Sequence, residues 1–112
     1  MNKEFIPYEQ ALALKELGFD EPCFAWYVSE KHGLEYGKVI QSDLLRDAVI
    51  APTFSQAFRW FREKYELYSF VFKFDEGFGY ETYKEGVTQT NDSFDTYEEA
   101  ELACLNKLIE IV

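Results

Sequence analysis

The feature that most constrains the fold is a strict alternation of aromatic side chains between Leu67 and Phe74. Every second position is aromatic, whereas Ser69 and Lys73 are among the residues in between. A period of two is the spacing of a β-strand, in which successive side chains point to opposite faces. The pattern therefore predicts a strand whose one face carries Tyr68, Phe70, Phe72 and Phe74. Residues 75–79 have turn chemistry, and Tyr80 to Lys84 can return as the antiparallel partner.

Two segments begin with a capping box, in which a hydroxyl side chain and a Gln or Glu three residues later satisfy backbone N–H groups. Residues 53–56 start a helix whose apolar stripe recurs at spacings of three and four and is predicted to be core. That stripe is Phe54, Ala57, Phe58, Phe61 and Tyr65. Residues 96–99 start a last helix that runs to about Ile111, with acidic residues in its first turn, where the helix dipole favours them.

The first half of the chain is predicted to contain one helix and one hairpin. Pro7 and Gly18 are typical of a helix start and end, so a helix is expected from Pro7 to Leu17. The runs 23–28 and 34–40 are rich in aromatic and β-branched residues and predict a hairpin. We expect the segment 41–52 to be a connection with a helical turn around Ser42 to Arg46, and the polar segment 85–94 to be an exposed loop.

These elements predict an α+β fold in the order α-β-β-α-β-β-α, formed by a single domain over residues 1–112. Its antiparallel sheet would have about four strands, with the helices packed mainly on one face. Because 47% of the residues are hydrophobic and 19% aromatic, the chain has enough apolar material for a core, and disorder is excluded. It has neither an apolar run of membrane-spanning length nor a secretion signal, so a cytoplasmic protein without membrane association is expected.

The three helix starts are similar in sequence: 8–11, 54–57 and 97–100 each place an aromatic residue three positions before an alanine. One interpretation is an internal duplication of a helix and a hairpin. The other is that aromatic, acidic, Gln or Glu, and Ala residues are simply common near helix starts. Four positions do not decide between the two.

Nothing in the sequence resembles a known catalytic or cofactor-binding motif, and we expect neither an enzyme nor a cofactor. Cys23 and Cys104 are far apart and are predicted to be reduced and buried, while the only histidine, His32, is expected in a turn.

The four carboxylates between Asp92 and Glu99 suggest a calcium site as one interpretation. The segment lacks the ligand alternation of an EF-hand loop, and a solvated helix start is the better interpretation.

The net charge is −10, a sign that repels phosphate backbones, so direct nucleic-acid binding is not expected. The charge is uneven, because residues 66–112 carry 11 acidic and 3 basic side chains, whereas residues 53–65 carry 1 and 3. This distribution leaves one basic helix in an acidic molecule. It also suggests that loop and helix acids of the last segment could imitate the phosphates of DNA.

Three segments together, Phe5–Phe19, Pro52–Tyr65 and Thr96–Leu105, resemble a family of small uncharacterised proteins of gut Bacteroidales, often found in phage or mobile-element surroundings. The resemblance covers all three predicted helices, about a third of the chain. It implies a mobile-element origin but no activity and no catalytic residue. The chain departs from the expected pattern at Glu66, where a glycine would follow the helix, and the resemblance is weaker across the strands.

Two sets of residues are candidates for binding a protein partner. On the second helix they are Arg59, Trp60 and Arg62, because Trp and Arg dominate binding hot spots, although Trp60 at the edge of the core is the competing interpretation. On the last helix they are Leu102, Leu105 and Ile109, a second apolar flank that could cover the sheet or form a homodimer. We therefore expect a small non-enzymatic adaptor or regulator that binds a protein. The alternatives are an acidic DNA-mimic decoy and, third, a small enzyme without a recognisable motif.

Overall fold

A computed structural model describes residues 4–29, 33–40 and 48–112, with side chains omitted for residues 38–40. The described residues belong to two compact units, Met1–Phe54 and Ser55–Val112, which are considered one at a time. The single-domain organisation remains a prediction. The elements are α1 (Tyr8–Glu16), β1 (Cys23–Tyr27), β2 (Leu34–Ile40), β3 (Val49–Ile50), α2 (Phe54–Tyr65), β4 (Tyr68–Phe74), β5 (Gly77–Lys84), β6 (Val87–Phe94) and α3 (Tyr97–Ile111).

Helix α1 of the first unit lies where the sequence predicts it. Pro7 is the extended residue that precedes the helix, with φ −67° and ψ 166°, and Gly18 adopts φ 98° just beyond its end. Both conformations match the residues, since proline fixes φ near this value and glycine tolerates positive φ. The helix buries Ala11 and Leu14.

The sheet of the first unit has three strands in the order β2-β1-β3, with β1 antiparallel to both neighbours. The predicted hairpin of β1 and β2 is confirmed. Strand β3 lies in the segment predicted as a connection, because two residues, Val49 and Ile50, are too few to show a period in the sequence. The helical turn predicted around Ser42 to Arg46 and the turn predicted at His32 lie outside the described residues.

A buried tyrosine ties the start of the chain to the first sheet. The Tyr27 hydroxyl donates a hydrogen bond to the Ile6 carbonyl oxygen at 2.8 Å, and the Ile6 N–H donates to the Pro52 carbonyl at 3.0 Å. The Tyr27 ring meets Tyr8 of α1 edge to face, with centroids 5.5 Å apart. The two hydrogen bonds satisfy the backbone N–H and carbonyl groups of Ile6, which is fully buried.

Helix α2 begins at Phe54, the last residue of the first unit, and its other residues belong to the second unit. Its predicted apolar stripe is largely core, because Phe54, Ala57 and Phe61 are buried. After the helix, Glu66 adopts the left-handed conformation with φ 53°, and the Leu67 N–H donates to the Phe61 carbonyl at 3.3 Å. A residue in the left-handed conformation directly after the last helical residue is a common helix termination, and glycine usually occupies this position.

The second sheet is a meander, β4-β5-β6, in which every neighbouring pair is antiparallel. Strand β4 and its partner β5 confirm the predicted pair. The loop predicted for residues 85–94 is wrong, since Val87–Phe94 forms β6, an edge strand whose side chains are almost all exposed. A strand with solvent on both faces has no apolar period, so its polar sequence resembled a loop.

The predicted α+β class is therefore confirmed, but the predicted order and strand number are corrected. The chain has two three-stranded antiparallel sheets and the order α-β-β-β-α-β-β-β-α. The first strand is central in one sheet and the second strand is central in the other. An internal duplication would repeat one strand order, so the similarity of the helix starts does not extend to the sheets.

Helix α3 begins as predicted. The Thr96 hydroxyl accepts from the Glu99 N–H at 3.1 Å, and the Glu99 carboxylate accepts from the Thr96 N–H at 3.2 Å, which completes the capping box. The helix packs on the second sheet and buries Ala100, Cys104, Leu105 and Leu108. None of the helices in the described part of the chain is long and apolar enough to cross a bilayer.

Candidate functional site

The register of the second sheet decides which side chains share a face. Across β4 and β5, Ser69 pairs with Thr82 and Lys73 with Phe78, and their side chains lie on one face. Helix α3 covers this face, because the Cys104 thiol is hydrogen-bonded to Ser69 and the Tyr97 ring meets Phe78 with centroids 6.2 Å apart. Successive residues of a strand point to opposite faces, so the residues of β4 and β5 that lie between these positions are on the side of the sheet away from α3.

That side presents an aromatic surface to solvent. Tyr68, Phe70 and Tyr83 are 48%, 54% and 48% exposed, and Phe72 and Phe74 are half-buried. We call these five residues the aromatic face. An exposed cluster of large rings on one side of a sheet is unusual for a monomeric protein and is typical of interaction sites.

Alternation alone would place the aromatic side of β4 against the core, and the structure shows the opposite. The reason lies in α3, whose small residues Ala100 and Cys104 are fully buried and let the helix approach the sheet closely. Opposite them, Thr82 is buried and Tyr80 is 7% exposed. The helix thus packs on the less bulky face and leaves the rings of β4 outside.

The carboxylate of Glu81 lies among the rings of the aromatic face. Glu81 of β5 pairs with Phe70 on one side and with Thr90 on the other, and Thr90 Oγ1 donates to its Oε1 at 3.4 Å. Its diagonal neighbours on β4 are Tyr68 and Phe72. Glu81 is half-buried, and within the described residues it forms no ion pair.

The two basic residues of the sheet strands are turned away from the aromatic face. Lys73 lies on the α3 side, where its Nζ is 5.2 Å from the centre of the Phe78 ring. Lys84 lies on the same side as Thr82, and its Nζ donates to the Tyr65 carbonyl oxygen. The aromatic face therefore carries a negative group and no positive one.

The candidates predicted on α2 are divided by burial. Arg59 and Arg62 are exposed, but Trp60 is only 6% exposed, and its ring meets Phe61 and Tyr65 edge to face at 5.2 and 5.6 Å. Trp60 is therefore a core residue, as its competing interpretation required, and its indole does not form a docking surface. Lys64 Nζ lies 5.4 Å from the Trp60 ring centre.

The candidates predicted on α3 are also divided. Leu105 is fully buried and belongs to the core, so it does not form part of an exposed second apolar flank on α3. Leu102 and Ile109 are half-buried. Leu102 lines an open groove of about 460 Å³ between α3 and the end of β6, together with Phe94 and Asn106. A second cavity of about 240 Å³ lies at the C-terminal end of α3 beside Thr82 and Lys84.

Burial raises the pKa values of two titratable groups on α3, Cys104 and Glu101. Burial raises the pKa of the Cys104 thiol to about 11, with a smaller opposing effect of its Ser69 hydrogen bond. Burial, followed by the charge of Glu98, raises the pKa of Glu101. The Glu99 carboxylate accepts hydrogen bonds from the backbone N–H groups of Asp95 and Thr96.

No group of three or more potential metal ligands occurs among residues 4–29, 33–40 and 48–112. Both cysteines are free and buried, as predicted.

Comparisons with protein-family models, with curated proteins and with solved structures gave no match to this chain. The rings of β4 can be predicted from the sequence, but their exposure cannot. One signal was available: pairing β4 with β5 puts Glu81 and two glycines, Gly77 and Gly79, opposite the aromatic residues. A carboxylate at the centre of a sheet face indicates solvent.

Proposed function

We propose that this chain is a small non-enzymatic module that binds a protein partner through the aromatic face. The single observation that supports the proposal is the exposure of Tyr68, Phe70 and Tyr83 side by side on the face that α3 does not cover. Aromatic residues are enriched at the centres of protein interfaces, where they contribute large contact areas at little cost in conformational entropy.

An exposed sheet face suits binding better than catalysis. Enzymes place their reacting groups in concave, water-excluding sites with pairs of titratable residues. The aromatic face is one side of a three-stranded sheet, and its central carboxylate, that of Glu81, is flanked by Phe70 and Thr90. The module would therefore act by bringing its partner to a site or by occupying the partner's own surface.

A DNA-mimic decoy is the second candidate, and a different surface favours it. Asp92, Asp95 and Glu98 are exposed in succession from the end of β6 into the first turn of α3. A partner that recognises this row would be a basic, nucleic-acid-binding protein, and its binding would weaken steeply with salt. For either role, a mobile-element origin is supported only by the sequence resemblance.

The test is photo-crosslinking in the native cells from two matched positions of the same sheet. A photo-reactive benzoylphenylalanine replaces either Phe70 on the aromatic face or Val87, which is 59% exposed on the α3 side. We expect one protein to be crosslinked from position 70 and not from position 87. The yield of this crosslinked product should fall when Tyr68→Ser and Tyr83→Ser are introduced together. The urea midpoint of the double variant shows whether the variant remains folded.

Equal crosslinking from both positions, or none from position 70, would contradict the proposed use of the aromatic face. Crosslinking from a probe in place of Asp95 alone, which is lost when the reaction is repeated in a cell lysate at raised salt, would favour the decoy.

A further inference from the structure

The charge pattern of the aromatic face indicates the chemistry of its partner. We propose that the face takes an extended, arginine-bearing segment of the partner protein, with a guanidinium group stacked on the rings and paired with Glu81. This inference rests on the proposed function, because it specifies the partner at the same site.

The row that crosses the sheet at Glu81 has the required dimensions. Phe70, Glu81 and Thr90 stand side by side on β4, β5 and β6. Side chains directly opposite each other have Cβ atoms about 5 Å apart, and diagonal neighbours are within about 8 Å. A planar guanidinium can therefore lie within about 6 Å of a ring centre and donate to the carboxylate at the same time.

The neighbouring row supplies a second ring for the same cation. Tyr68 and Tyr83 pair directly across β4 and β5, and both are exposed. Glu81 is the diagonal neighbour of Tyr68 and lies two residues before Tyr83 on its own strand. The carboxylate thus has exposed rings on several sides, which partly exclude water from an ion pair formed there and strengthen it.

The chain already forms contacts of this kind elsewhere. Lys73 Nζ lies 5.2 Å from the Phe78 ring on the α3 side of the same sheet, and Lys64 Nζ lies 5.4 and 5.9 Å from the rings of Trp60 and Tyr65. The aromatic face has the rings but no cation of its own. An external cation completes the same arrangement.

Arginine is the cation that fits both groups. Its flat guanidinium stacks on rings and presents a fork of donors to a carboxylate, whereas a lysine ammonium is a compact, strongly hydrated charge. An extended segment places alternate side chains on one side. Two arginines that are two residues apart can therefore contact the cross-strand row that contains Glu81 and the row that contains Tyr83. Bases could also stack on such rings, but the net charge of −10 and the negative Glu81 oppose a phosphate backbone.

The experiment titrates the whole protein with capped peptides while amide and side-chain NMR shifts are followed. The probes are an alternating Thr-Arg-Thr-Arg-Thr peptide, its lysine counterpart and a decauridine RNA. We expect the arginine peptide to shift the signals of Tyr68, Phe70, Glu81 and Tyr83, and to bind more tightly than the lysine peptide. Glu81→Gln, which keeps an acceptor for Thr90, should weaken arginine-peptide binding on the order of tenfold.

The matched control is Glu98→Gln, which removes one exposed charge from the first turn of α3. If Glu98→Gln weakens binding as much as Glu81→Gln, the effect is one of net charge and the inference is overturned. It is also overturned if the arginine peptide causes no shifts on the face at millimolar concentration, or if the RNA binds there more tightly. A protein that crosslinks from position 70 equally well with Glu81→Gln would sustain the proposed function while refuting the arginine partner.

Discussion

Phe72 and Gly79 face each other across β4 and β5, and the ring of Phe72 occupies the space that a side chain at Gly79 would need. Its Cζ atom lies 2.8 Å from the point where a Cβ on Gly79 would stand. The backbone of β6 is equally close, with the Asn91 carbonyl oxygen also at 2.8 Å. The glycine thus lets a ring of the aromatic face lie down against the sheet, which explains why Phe72 is half-buried while Phe70 is exposed.

Gly79→Ala should therefore destabilise the protein by about 2–3 kcal/mol, because the strand backbone cannot move aside as a flexible side chain can. Gly86→Ala is the comparison: its added Cβ meets nothing within 4 Å, so only the strain of its φ of 83° remains, about 1 kcal/mol. Urea unfolding of the two variants measures both values. Equal losses for the two would contradict the predicted clash.

Glu66→Gly should stabilise the protein by about 0.5–1 kcal/mol. Glu66 terminates α2 with φ 53°, a conformation that glycine adopts without strain. The same change at Glu63, an exposed residue inside α2, should cost about 1 kcal/mol, because glycine is a poor helix former. The check is that the same substitution has opposite effects on stability inside α2 and just beyond its end, and thermal or urea midpoints suffice. A loss of stability with Glu66→Gly would refute this explanation of the helix end.

Cys104 should make the protein less stable at alkaline pH. Burial raises the pKa of its thiol from 9.0 to about 11, so the folded state holds the proton more tightly than the unfolded state. The contribution is complete below pH 9 and is lost as pH rises towards 11, by up to about 2 kcal/mol. Tyr27, Tyr80 and Tyr97 also have raised pKa values and act in the same direction.

The thiol is isolated by comparing wild type with Cys104→Ala, measured as the slope of unfolding free energy against pH between 9 and 11. The variant should have the shallower fall, and the absolute loss caused by the smaller side chain does not enter the comparison. Iodoacetamide at pH 8 should leave Cys104 unmodified until urea is added. Parallel slopes for the two proteins would show that the thiol titrates as in the unfolded chain.

Tyr27→Phe should destabilise the first unit by about 1–2 kcal/mol, because a buried acceptor loses its donor. The hydroxyl donates to the Ile6 carbonyl at 2.8 Å, and Ile6 is fully buried. Tyr36→Phe removes a hydroxyl from a ring that is 55% exposed and should change the unfolding free energy by less than about 0.5 kcal/mol. Hydrogen exchange of the β1 amides should report the same difference. An equally small effect of both changes would mean that water replaces the lost donor.

The parts of the fold that could be predicted from sequence are those with local signals. Helices α1 and α3 were predicted to within about one residue at each end, because Pro7, Gly18 and Thr96 act on the backbone next to them. Strand β4 was equally clear from its period. Strand β6 could not be predicted, because an edge strand exposed on both faces has no period, and β3 is too short to show one.

The candidate site was harder to predict, because alternation gives the faces of a strand but does not say which face is covered. That choice depends on α3, through Ala100 and Cys104, which are far from β4 in sequence. Trp60 shows the opposite error: a Trp flanked by arginines suggested a surface, but the indole packs into the core. Burial of a single residue depends on tertiary contacts that residue types alone do not specify.

The positions of the two tryptophans give each compact unit its own intrinsic spectroscopic reporter. Trp26 belongs to Met1–Phe54 and Trp60 to Ser55–Val112, and the sequence contains no other tryptophan. Replacing one with Phe leaves an emission spectrum that arises from the other unit alone. Denaturation followed in this way assigns a midpoint to each half of the chain. Coincident midpoints identify one cooperative folding unit, and separate midpoints identify two.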